Sequence, residues 1–104
     1  MKMWVCKACG TQHPPSDDPP QACAICDDPR QYVPPEGQRW TTMAELAADH
    51  ENAVREEGDF TGIGTEPGFA IGQRALLVPF GDSNLLWDCV SLLDDATADA
   101  VEQR

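Results

Sequence analysis

Basic residues are scarce in this chain. Seven of its 104 residues are Lys or Arg against 18 Asp or Glu, and the formal net charge is −11. A groove for DNA or RNA takes most of its affinity from phosphate neutralisation, so this balance argues against nucleic acid. It argues equally against an anionic membrane surface. Histidine is scarcer still: His13 and His50 are the only two. No apolar run approaches the roughly 18–20 residues that span a bilayer. The opening Met1-Lys2-Met3-Trp4-Val5-Cys6 has no long apolar signal region and no small-residue cleavage site, which is the pattern of a cytoplasmic protein. The length excludes a TIM barrel or an ordinary enzyme of about 200–300 residues. It suits one domain or two very small ones.

What is present is unevenly spread. Residues 1–40 hold four of the five cysteines and seven of the nine prolines, with 4 basic and 5 acidic side chains. Residues 41–60 carry 1 basic and 6 acidic side chains, and residues 61–104 carry 2 and 7. The acidity therefore belongs to the last two thirds, and a nearly neutral head precedes it. Pro14-Pro15, Pro19-Pro20 and Pro34-Pro35 exclude helix from most of the head, leaving loops and short strands.

The head carries the chemistry. Cys6-Lys7-Ala8-Cys9 and Cys23-Ala24-Ile25-Cys26 are two C-x-x-C pairs separated by 13 residues. Two residues between cysteines let one tight turn aim both sulfurs at a single point. Two such turns brought together give four thiolates in a tetrahedron, which suits Zn(II), one per chain. Iron fits the same four ligands, as in a rubredoxin-type electron carrier. Gly10 follows the first pair and can take positive φ; Asp27 stands at the equivalent place after the second. Local disulfides are disfavoured in a reducing compartment. A thioredoxin-like reading lacks the required βαβ context. A metal could organise a Pro-rich head that is too small to build a core of its own.

Residues 42–57 read as a helix. Thr42-Met43-Ala44-Glu45 has the form of a capping box. Met43, Leu46, Ala47, His50 and Val54 form one stripe, Glu51 and Arg55 form an i,i+4 pair, and Gly58 stands at the left-handed C-terminal cap. Glu56, Glu57 and Asp59 then read as a solvated helix end. Thr61–Gly68 reads as a connector; its Gly62-x-Gly64 lacks the context of a phosphate loop. Two apolar runs, 69–78 and 85–90, flank a turn at Pro79–Ser83 and predict a hairpin covered on both faces. A second helix starts at Asp94. The expected fold is thus small α+β: a rubredoxin-like zinc ribbon over 1–40, then a body over 41–104 of one capped helix, a β-hairpin and a short C-terminal helix. Trp4, Tyr32 and Trp40 are expected to form the apolar pack of the ribbon. Cys89 reads as a small buried hydrophobe, and His13 and His50 as packed side chains rather than ligands.

A wider pattern accompanies the cysteines. Cys6-x-x-Cys9-Gly10-Thr11-Gln12-His13-Pro14, Cys23-x-x-Cys26, Arg30-Gln31-Tyr32-Val33 and Gly37-Gln38-Arg39-Trp40-Thr41-Thr42 form its first part. Thr61-Gly62-Ile63-Gly64-Thr65 and Leu85-Leu86-Trp87-Asp88-Cys89 complete it. Together these resemble the N-terminal region of metallo-β-lactamase-fold hydrolase-like proteins that carry a four-cysteine ribbon ahead of the hydrolase domain. The resemblance implies that the hairpin supplies opening strands of an αββα sandwich, with Asp88 at the end of the second. It also implies an H-x-H-x-D-H motif soon after the last helix. No histidine follows His50, and the chain reaches Arg104 without that motif. The resemblance therefore implies Cys6, Cys9, Cys23 and Cys26 as metal ligands, and no catalytic residue in this chain. Three readings follow: a zinc-binding structural or interaction module, an iron electron carrier, or the head of a metal-dependent hydrolase. The expected partner is a protein chain or a hydrolase domain, with a homodimer as a further option because the hairpin leaves unpaired edges.

Overall fold

A computed structural model describes all 104 residues. Eight elements follow in order: β1 (Trp4–Cys6), β2 (Trp40–Thr42), α1 (Met43–Asp49), β3 (Glu51–Glu57), β4 (Phe60–Glu66), β5 (Ala75–Phe80), β6 (Ser83–Trp87) and α2 (Asp95–Glu102). They make a small α+β fold with two sheets, two helices and a cysteine cluster. β1 and β2 pair antiparallel, with Trp4 opposite Thr42 and Cys6 opposite Trp40. Between them the chain has no helix, as the prolines require.

The expected helix over 42–57 is present only in its first half. Thr42 caps it as expected, its hydroxyl accepting from the Glu45 amide at 3.2 Å. The Glu45 carboxylate does not complete the box; it accepts from the Thr41 hydroxyl instead. At His50 the backbone turns extended (φ −132°, ψ 156°), and Glu51–Glu57 continues as a strand. That strand pairs along its whole length with β4, from Glu51 opposite Glu66 to Glu57 opposite Phe60. Residues 61–66, expected as a connector, are therefore strand. The physical reason is tertiary. Two more helical turns with an exposed face would add little. A strand here satisfies the backbone of β4, whose Ile63 is 1% exposed.

Local signals are reused in this new setting. Gly58 does adopt positive φ (66°), as the first residue of the two-residue turn between β3 and β4 and not as a helix cap. Arg55 forms its ion pair with Glu66 on the neighbouring strand rather than with Glu51. Glu57 pairs with Arg74, and Glu56 lies 3.7 Å from Arg104.

The second hairpin is where it was expected, with shorter strands. β5 and β6 pair from Leu76 opposite Trp87 to Phe80 opposite Ser83, turning at Gly81-Asp82. The larger sheet runs β3-β4-β5-β6, all antiparallel. Its coverage differs from expectation: every residue of β6 is exposed, and Trp87 is 62% exposed. β6 ends the sheet, so this is an apolar edge rather than a strand covered on both faces. α2 begins where expected. Its cap Asp94 accepts from the Thr97 amide at 2.8 Å, and the Thr97 hydroxyl followed by that amide holds the Asp94 carboxyl below the usual carboxylate range.

Asn52 ties the body together. Its Nδ2 donates to the carbonyls of Gly64 (2.9 Å) and Leu92 (2.8 Å), and its Oδ1 accepts from the Asp94 amide (2.8 Å). Asn52→Ala is expected to destabilise the protein by about 1–3 kcal/mol, since it leaves partly buried backbone groups unpaired. A lowered urea midpoint with unchanged slope would show this; an unchanged midpoint would exclude it.

Candidate metal centre

The cysteines reach one point because two turns repeat the same construction. Cys6 ends β1, and the Gly10 amide donates back to its carbonyl at 2.8 Å. In the second turn the Asp27 amide donates to the Cys23 carbonyl at 3.0 Å. Gly10 has φ +81°, whereas Asp27 does not take positive φ. The second turn therefore closes without the left-handed residue that the first one uses.

All four sulfurs lie within 4.8 Å of one another, and all four cysteines are buried. Cys6 Sγ to Cys26 Sγ and Cys9 Sγ to Cys23 Sγ are both 3.7 Å. A tetrahedron with metal–sulfur bonds of about 2.3 Å has edges of about 3.8 Å, so the spacing fits a single tetrahedral metal. It is far beyond a disulfide bond of about 2.05 Å, and all five thiols are free. The four cysteines and Ala8 form a buried cluster against which Val33 and Trp40 pack. The expected aromatic pack is thus narrower. Trp40 joins it and Trp4 is half-buried, with its indole donating to the Ser16 carbonyl; Tyr32 is 68% exposed.

The thiols are electrostatically unequal. Burial pushes the Cys26 thiol up to about 12, with the Gln38 side chain opposing it. Burial also raises Cys6, against the lowering effect of the Cys9 and Ala8 amides. Burial acts most strongly on Cys9 too, but the Thr11 hydroxyl and amide, together with the neighbouring Cys23 and Cys26 side chains, outweigh it and bring Cys9 below the ordinary thiol value. Metal binding to thiols releases their protons, so a site of this kind binds more weakly as pH falls. With four protein sulfurs around it, a metal there has no open position for water or substrate.

Two clamps join this cluster to the body. Gln73 Nε2 donates to the Cys9 carbonyl at 2.9 Å, and Ser91 Oγ donates to the Gly10 carbonyl at 2.6 Å. Neither residue carried a signal in the sequence, because each lies more than 60 positions from its partner. Gln38, which approaches Cys6 Sγ at 3.3 Å, was equally invisible. Thr11, two residues beyond Cys9, could have been found from spacing alone.

The remaining singled-out residues lie elsewhere. His13 stands edge-on to Trp40 with ring centroids 4.9 Å apart, and His50 edge-on to Phe69 at 5.8 Å; neither belongs to the sulfur cluster. Gly62 and Gly64 are strand residues of β4, and a Cβ at Gly62 would meet the Glu57 carboxylate at 2.6 Å. Cys89 is exposed, contrary to the buried position expected for it. Partial desolvation and the adjacent Asp88 carboxylate push its thiol up, which makes it a poor nucleophile. No helix is long and apolar enough to cross a membrane.

No family model matches this chain, and no solved structure matches it. Among curated proteins it is similar to the uncharacterized protein YmaE of Bacillus subtilis (strain 168), with 42% identity over 106 residues. The match covers 99% of this chain and 39% of YmaE, so the chain spans about two fifths of that relative's length.

Proposed function

We propose that the chain is a zinc-binding structural and interaction module, with Cys6, Cys9, Cys23 and Cys26 as ligands and no catalysis of its own. The observation that carries this is the pair of 3.7 Å sulfur separations in a buried cluster of four cysteines. The zinc would replace a hydrophobic core in the head and leave hydrolytic chemistry to another domain. Free thiols in such number suit a reducing compartment such as the cytoplasm.

The motif resemblance to metallo-β-lactamase-fold hydrolase-like proteins belongs to this proposal. It would make the head a rubredoxin-like ribbon and the body the opening part of a larger sandwich. Two observations support a docking role. YmaE extends well beyond the matched region. The edge strand β6 presents Leu85, Leu86 and Trp87 to solvent, beside an apolar cavity of about 330 Å³ between the sheet and α2. Single apolar side chains on a surface are ordinary, but a row of them on an unpaired edge marks an interaction site.

An iron electron carrier is the second reading, supported by the amides of Ala8, Cys9 and Thr11 acting on the sulfurs, since hydrogen bonds of that kind set iron–sulfur potentials. Elemental analysis with absorption spectroscopy tests both. One equivalent of zinc in a colourless protein is expected. Iron with visible thiolate-to-metal absorption in protein grown with both metals would favour the carrier, and no bound metal at all would overturn both.

A further inference from the structure

Two side chains outside the cysteines reach the sulfurs. The Cys6 thiol donates to Gln38 Oε1 at 3.3 Å, and the Cys9 thiol donates to Thr11 Oγ1 at 3.2 Å. Both positions are built into the fold. The Cys6 amide donates to the Thr11 carbonyl at 3.0 Å, which fixes Thr11 beside the first turn. The Lys7 amide donates to the Arg39 carbonyl at 2.9 Å, which brings the segment before β2 against the same turn and sets Gln38 over the cluster.

A metal-bound thiolate has no proton and only accepts, so it needs donors at these contacts. The Gln38 terminal amide carries the donor Nε2 beside Oε1, and the Thr11 hydroxyl can aim its hydrogen at sulfur. Both side chains are therefore placed to donate to the sulfurs of a metal-loaded cluster. The need is electrostatic: four thiolates around a divalent ion leave a net charge of about −2 inside a chain that is already acidic. Donors aimed at the sulfurs spread that excess charge, and such outer partners govern ligand strength.

We propose that Thr11 and Gln38 are the positioning residues of the metal centre, each donating a hydrogen bond to a ligand sulfur when the metal is bound. The inference rests on the metal-binding reading above and specifies which side chains tune it. They act through the cysteines and touch no substrate.

The test uses the full chain loaded with Co(II), together with Zn(II) competition against a chromophoric chelator. Thr11→Val and Gln38→Leu are each expected to weaken zinc binding about 10- to 100-fold. At saturating cobalt, each should also move the sulfur-to-cobalt charge-transfer band to lower energy, because sulfurs stripped of a donor release electrons more readily. Thr11→Ser keeps the hydroxyl and should restore both readouts. The band separates tuning from mere loss of fold: a variant that binds weakly yet shows the wild-type band overturns the inference. So does wild-type affinity in the double variant. A wild-type chain that gives no four-thiolate cobalt spectrum would remove the metal-binding reading itself, a failure distinct from the other two.

Discussion

Chelation of the bound metal, or Cys→Ser at any one of positions 6, 9, 23 and 26, is expected to unfold the head through residue 42. Amide resonances of residues 1–42 should collapse to unfolded shifts, while those of β4 and β5 around Ile63 and Leu77 stay dispersed. The size of the effect follows from what the head buries. Of its fully enclosed side chains, Cys6 and Cys23 belong to the cysteine cluster and Val5 is the only large apolar one. Apolar burial on that scale is too little to hold the head by itself. Structural zinc supplies on the order of 10–16 kcal/mol of apparent binding free energy, so its removal takes away a large part of what stabilises the head. Unfolding should reach Thr42 because β2 is held by β1, whose last residue is Cys6. A chelated protein with unchanged amide spectra over residues 1–42 would sink the idea.

Gly10→Ala should be strongly destabilising although it adds only one methyl group. The residue has φ +81°, where an L side chain costs about 1–2 kcal/mol. The new Cβ would also stand 2.3 Å from Ser91 Oγ and 2.7 Å from Gln73 Nε2. Those two atoms donate to the Gly10 and Cys9 carbonyls, so their displacement breaks both clamps between the metal turn and the body. Overpacking of this kind adds about 1–3 kcal/mol, for a total loss of roughly 2–5 kcal/mol in the metal-loaded protein. Urea unfolding would measure it. Ser91→Ala removes the nearest obstacle, so Gly10→Ala placed in that background should cost less than in the wild type. A Gly10→Ala protein with the wild-type midpoint would show that the turn is not clamped as described.

The reading from sequence succeeded where a few neighbouring residues decide the outcome. Thr42 and Asp94 cap helices because a side-chain oxygen reaches an amide three positions on, whatever lies elsewhere. Gly81 turns the second hairpin because the turn needs positive φ at that residue. It failed at residues 50–66. There Val54 and Arg55 sit at helical spacing, yet a strand seven residues long was the better partner for β4. Periodicity over one segment does not register the backbone groups of another.

The cysteine cluster divides along the same line. The two C-x-x-C spacings by themselves determined that each pair of sulfurs would converge, because a two-residue turn leaves little freedom. Only the tertiary structure decided that the pairs meet at 3.7 Å, that Gln38 and Thr11 overlook them, and that Gln73 and Ser91 hold the first turn to the sheet. It also decided that Cys89 and the apolar residues of β6 face solvent. The physical reason is range. Turn geometry and capping are set by bonds within about four residues, whereas burial and long-range hydrogen bonds depend on which surfaces the folded chain brings into contact.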